Sequence, residues 1–139
     1  MPTTVRYEHS FDYRIGEDNK RFPGFVIQLK NDANAVDTDA YLDSGAEYSL
    51  FNGGFASAIG LPLLDGAART YGTTNKTEIS ARLHRVALWI PELGEFTMTL
   101  GFSLDDITRN ILGRDFFSLV RIGFDERVQV FTLADTYSD

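Results

Sequence analysis

An all-β domain with one or two short helices is what this sequence predicts, and three observations predict it. Apolar and polar residues alternate over short runs, at the period of two that gives a strand one buried face. Clusters of Gly, Pro, Asn and Asp separate the runs at hairpin spacing. Helix signals are confined to two brief windows.

Val5, Tyr7, His9, Phe11 and Tyr13 alternate with polar neighbours, as in a half-buried strand, and GEDNKRFPG follows as a polar loop. FVIQL and TDAYL flank the turn-rich KNDANAVD, so residues 25–42 read as a hairpin with a loose loop and Asp43 at its exit. After Phe51, Asn52 can cap a short helix through GGFASAIG, because its side-chain oxygen can accept a free N–H of the first turn. Gly60 and Pro62 end that helix. ARTYGTTNKTEISARLHRVALWI gives two β-rich runs around a polar tip from Thr73 to Thr77, and Pro91 to Glu95 turns the chain into FTMTLGF. DDITR leads to ILGRDFFSLV, where Ile111, Leu112 and Gly113 open a short helix from Arg114. RIGF and VQVFTL close as a hairpin around Asp125, Glu126 and Arg127. There is also a weak internal echo: YLDSG from Tyr41 and NILGR from Asn110 each drive an apolar strand end into a Gly-containing turn, in corresponding places of two half-chains.

Composition limits the functions open to such a domain. A chain of 139 residues, 43% hydrophobic and with eleven Phe, suits a single domain over 1–139 that buries about two-thirds of its unfolded surface. Thirteen basic against 20 acidic residues give a formal charge of -7, which repels a phosphate backbone, so nucleic acid is not an expected partner. No apolar run reaches the roughly 20 residues that cross a bilayer, and MPTTVRYEHSFDY lacks the apolar core and cleavage site of a signal peptide. The expectation is a soluble, cytoplasmic protein with no membrane partner. The absence of Cys rules out disulfides, thiolate metal sites and a cysteine nucleophile.

Chemistry concentrates at the end of the first hairpin. Asp43 closes a β-forming run and small, flexible Ser44, Gly45 and Ala46 follow it. DSGA, a hydroxyl six positions after the Asp at Ser49, and ILGRD about 65 residues further on together resemble the paired motifs of retropepsin-like aspartic peptidases. The resemblance spans residues 25–133, and it implies a closed, barrel-like acid-protease domain of β-hairpins.

The resemblance also implies a mechanism. Peptide hydrolysis without a metal or a covalent nucleophile needs one group to take a proton from water and another to give one to the amide carbonyl. Two carboxylates about 3 Å apart cannot both ionise, so they share a proton and supply both roles. Asp43 is implied as one of the pair, with Gly45 N–H bonded to the carboxylate and the Ser44 hydroxyl tying two active-site loops together. Ala46 is small where the substrate backbone passes. A chain with one such motif is implied to be a homodimer, each copy giving one Asp43, which suits the two-fold interfaces commonest among oligomers. YGT at Tyr71, Gly72 and Thr73 resembles the tip of a flap that closes over a peptide substrate. Arg114 is implied to brace the site through Glu47. No cofactor and no metal are implied.

Other residues read more plainly. His9 and His84 stand alone on strand patterns and suit core or edge positions, and the pairs Asp37/Asp39 and Asp105/Asp106 read as solvated turns. Asn75-Lys76-Thr77 matches a glycosylation sequon, which has no role in a cytoplasmic protein. Trp89, between Leu88 and Ile90, reads as core or interface. Ser44 and Ser49 lack the elbow motif of serine hydrolases. The rival to an endopeptidase is a catalytically silent peptide-binding or dimerisation module of the same fold.

Overall fold

The structure, a computed structural model, describes residues 6–73 and 75–134, so the start of the first expected strand at Val5 lies outside the described residues. β1 (His9–Asp12) and β2 (Arg14–Ile15) share the first alternating run, and His9, Phe11 and Tyr13 turn inward. GEDNKRFPG is not the open loop its polarity suggests. β3 (Arg21–Phe22) pairs with β2 around a turn closed by Gly16 N–H on the Lys20 carbonyl, with Asn19 at a φ of 61°. Phe22 accounts for the difference: it is buried flat against Tyr41, ring centroids 3.6 Å apart.

β4 (Gly24–Asn31) and β5 (Asn34–Leu42) form the expected hairpin, but its loop is tight. Asn31 pairs with Asn34 across Asp32 and Ala33, and Asp32 takes a φ of 52°, which Asp tolerates better than most residues. Asp37 and Asp39 therefore stand on a strand, not in a turn. β6 (Leu50–Asn52) leads through Gly53 into α1 (Gly54–Ala58). Asn52 acts one residue ahead of the cap position: its Oδ1 accepts the Gly54 N–H at 3.0 Å, while its amide donates to Asp106 and to the Ile107 carbonyl. Gly60, at a φ of 75°, stops the helix, and Pro62 precedes one 3-10 turn, Leu63–Asp65.

β7 (Ala67–Gly72), β8 (Glu78–Ile90) and β9 (Gly94–Ser103) run as two successive hairpins. β10 (Ile111–Leu112), α2 (Arg114–Phe117), β11 (Arg121–Asp125) and β12 (Val130–Ala134) follow where the turn signals put them. Strands pair in the order β4-β5-β10-β6-β9-β8-β7, and a further β4–β8 pairing closes the first six into a ring, which gives the barrel-like form and leaves β7 as an outer strand on β8.

Period-two alternation fills this barrel. Phe25, Ile27 and Leu29 of β4 meet Val86, Leu88 and Ile90 of β8 and Met98, Leu100 and Phe102 of β9, all buried, with Phe116 and Val120 from the second helix region. Each such side chain contributes about 1.5–3 kcal/mol relative to an exposed one. The separate β1-β12-β11 sheet joins the core through Phe11 and Phe131, whose rings both lie 5.2 Å from Phe25. With Leu88 and Ile90 fully buried, the same alternation turns Trp89 outward, 40% exposed and beside Lys30, so it is not a core residue. No helix among the described residues is long and apolar enough to cross a membrane.

The internal echo has a different meaning from the one its sequence suggests. YLDSG and NILGR are neighbours, not equivalents: β5 and β10 pair in parallel, Tyr41 opposite Ile111 and Leu42 opposite Leu112. β6 and β9 repeat the arrangement, Phe51 opposite Phe102 and Asn52 opposite Ser103. Each half thus lends its last strand to the other half. By this register the partner of NILGR is LFNGG at residues 50–54, and Leu104 stands where Asp43 stands.

Candidate active site

Asp43 leaves the end of β5 at the centre of this crossing. Its N–H donates to the Leu112 carbonyl at 3.0 Å, so the strand pairing continues one residue further and fixes where the carboxylate emerges. The next residues turn back at once: Gly45 N–H donates to Asp43 Oδ1 at 2.8 Å and Ala46 N–H to the Asp43 carbonyl at 3.2 Å. The carboxylate is thereby oriented by its own loop while remaining exposed, as are Ser44 and Gly45. The Ser44 hydroxyl has no bonding partner among the described residues of this chain.

Residues 46–49 are clamped by the segment that follows β10. A Cβ on Gly113 would lie 2.6 Å from the Ala46 carbonyl oxygen, so glycine is what lets the two backbones cross. Arg114 N–H then donates to the Ala46 carbonyl at 2.8 Å and Asp115 N–H to the Glu47 carbonyl at 3.2 Å. Ser49, 1% exposed, is the hub: its hydroxyl donates to Asp115 Oδ1 at 2.6 Å, its N–H to Asp115 Oδ2 at 3.0 Å, and its Oγ accepts the Gly113 N–H at 3.0 Å.

The brace is therefore Asp115, one residue beyond the Arg114 that the motif resemblance singled out. Arg114 is exposed, and among the described residues its guanidinium forms no ion pair with Glu47, which is exposed as well. Arg114 contributes its backbone to the loop. An acidic residue following G-R, with a hydroxyl already marked at Ser49, was the signal available for Asp115.

The β7–β8 hairpin stands alongside. Tyr71 turns beneath it, its hydroxyl donating to the Ser49 carbonyl at 2.9 Å, and its ring fills space that a Cβ on Gly101 would occupy. Burial pushes the Tyr71 hydroxyl above its ordinary pKa, with neighbouring Arg69 pulling the other way. Gly72 is exposed and Thr73 closes the tip, its N–H and hydroxyl both bonded to the Thr77 carbonyl. Thr74 lies outside the described residues. Between loop and hairpin runs a groove of about 360 Å3 lined by Gly45, Ala46, Glu47 and Tyr48 on one side and residues 69–72 on the other. The structure so brings Gly45, Ala46, Tyr71 and Gly72 around one groove, with Asp43 bonded to its Gly45 end but not among the residues that line it.

The two histidines lie elsewhere: His9 is on β1, and His84, on β8, bonds the Leu63 carbonyl through Nε2 at 2.9 Å.

No family model matches the chain, and no curated protein matches it. Among solved structures it is similar to a retropepsin-like aspartic protease from Rickettsia conorii, at 20% identity and a TM-score of 0.63 over 91% of this chain and 99% of that one. It is also similar to EIAV protease in complex with an inhibitor, at 16% identity and a TM-score of 0.55 over 75% of this chain and 92% of that one. At such identities the likeness is one of fold, and the fold of this chain is retropepsin-like and all-β.

Proposed function

We propose that residues 1–139 form a single aspartic endopeptidase domain that is active as a homodimer, with water activated between two Asp43 carboxylates, one from each copy. The observation that carries this reading is the setting of Asp43: an exposed carboxylate at the end of a strand, oriented by the N–H of Gly45, which itself lines a groove of about 360 Å3. The second carboxylate has to come from elsewhere. The equivalent position in the other half is Leu104, which carries no carboxylate, and β10 and β6 lie between β5 and β9. A second copy about a two-fold axis supplies it.

In this dimer one carboxylate takes the proton of the attacking water while its protonated partner donates to the amide carbonyl. Ser44 of each copy reaches across to the other loop. The substrate backbone passes over Ala46, and the β7–β8 hairpin closes on it as a flap through Tyr71, Gly72 and Thr73. Main-chain bonds to the groove edges hold the peptide extended and side-chain contacts choose the sequence.

Cleavage of an unstructured peptide library by the wild type, its loss in Asp43→Asn with melting and dimer unchanged, and a fall of specific activity on dilution are the expected results. Cleavage that survives Asp43→Asn, or full activity in a proven monomer, overturns the proposal. Peptide bound and released uncut across the acid-to-neutral range identifies a binding module instead.

A further inference from the structure

Among the described residues, Arg69 is the one cation lining the groove that begins at Gly45. On β7 the alternation turns Arg69 and Tyr71 toward the Asp43 loop, half-buried, and leaves Ala68, Thr70 and Gly72 exposed. The Arg69 guanidinium sits over the Tyr48 ring, 3.9 Å from its centroid, and Tyr48 belongs to the opposite wall of the same groove. Stacking of this kind holds the planar fork in place. No carboxylate among the described residues lies within ion-pair distance of it. Glu47 lines the groove too, but it is exposed and does not reach the guanidinium.

We infer that Arg69 selects a peptide carrying an acidic side chain, aspartate or glutamate, at the position that lies against Tyr48. The inference rests on the reading of this groove as the peptide channel. A carboxylate arriving there meets a guanidinium already ordered and breaks no existing pair, and two parallel N–H···O bonds give both strength and geometry. Glu47 competes weakly, because an exposed carboxylate is screened and loses side-chain freedom on pairing. The chain as a whole carries -7, so long-range attraction does not draw acidic peptides in. Selection comes from the contact itself and acts on the dissociation rate.

The test measures binding on Asp43→Asn, in which cleavage is suppressed, with labelled unstructured peptides in which one Glu replaces Gln at each position in turn. At one position Glu is expected to bind about five- to tenfold tighter than Gln. Arg69→Gln removes that preference, Arg69→Lys retains part of it, and Arg69→Glu transfers it to Lys-containing peptides; thermal melts confirm that each variant folds. No Glu preference at any position, no peptide binding at all, or a preference unchanged in Arg69→Gln overturns the inference. The same peptides given to the wild type report separately on catalysis. Glu-selective binding without cleavage overturns the peptidase reading alone, and cleavage indifferent to Glu overturns this inference alone.

Discussion

The loop after β5 and the loop after β9 occupy equivalent places in the two intertwined halves, yet one opens on Asp43 and the other on Leu104. Both crossings admit the neighbouring backbone at a glycine. Leu42 pairs with Leu112 just ahead of Gly113, and Ser103 pairs with Asn52 just ahead of Gly53, both glycines sitting where another chain segment passes too closely for a Cβ. Their bracing differs. The first loop is held by the bond between buried Ser49 and half-buried Asp115 and by Tyr71, leaving its carboxylate exposed. The second folds on itself, the Ser103 hydroxyl donating to the Asp105 carbonyl at 2.6 Å, with the Asn52 amide bonded to Asp106. One crossing serves as a scaffold and the other as a candidate site, and a single side chain at the strand exit separates them.

The largest expected difference comes from the same replacement at both exits. Asp43→Asn lowers kcat/KM by about 10²–10⁴-fold, the usual worth of a general acid–base group. Leu104→Asn, at a side chain 42% exposed, leaves cleavage intact and stability within about 0.5 kcal/mol. Equal losses at the two positions would break the comparison.

The glycines come next. A Cβ at Gly53 meets the Ser103 carbonyl oxygen at 2.0 Å and one at Gly113 meets the Ala46 carbonyl oxygen at 2.6 Å, so both Gly→Ala changes overpack against backbone, at about 1–3 kcal/mol or more. Urea unfolding should show the greater loss for Gly53→Ala. The greater loss of cleavage per folded molecule should fall on Gly113→Ala, because the carbonyl it displaces belongs to the Asp43 loop.

Smaller again is the effect of removing the brace. Asp115→Ala leaves the buried Ser49 hydroxyl and N–H without their acceptor, at about 1–3 kcal/mol. Arg114→Ala, exposed and without an ion pair, changes the melting temperature little. A reversal of that order would restore Arg114 as the support.

The smallest effect on cleavage lies outside both loops and serves as a reference. Burial and the Glu126 carboxylate bonded to it at 2.7 Å push the Tyr13 hydroxyl from 10.0 to about 12. The folded state therefore keeps this proton where the unfolded chain releases it. The contribution is complete below pH 10 and is lost as pH rises toward 12. Tyr13→Phe should flatten alkaline unfolding in that window alone, without altering cleavage at neutral pH.

By itself the sequence determined the faces and the reversals of the chain. Alternation placed Phe25, Ile27 and Leu29 inside, Gly60 and Pro62 stopped a helix, and DSGA put a carboxylate two residues ahead of a backbone N–H that turns back onto it, that of Gly45. These are local matters, settled within a few residues by sterics and by the period of the strand. Only the tertiary structure decided which strands became neighbours, and with them the equivalence of Asp43 and Leu104, the choice of Asp115 over Arg114, the docking of Phe22 on Tyr41 and the seating of Arg69 on Tyr48. Each joins residues far apart along the chain. Their register follows from burying every apolar face of the barrel at once, a condition that no short window of sequence contains.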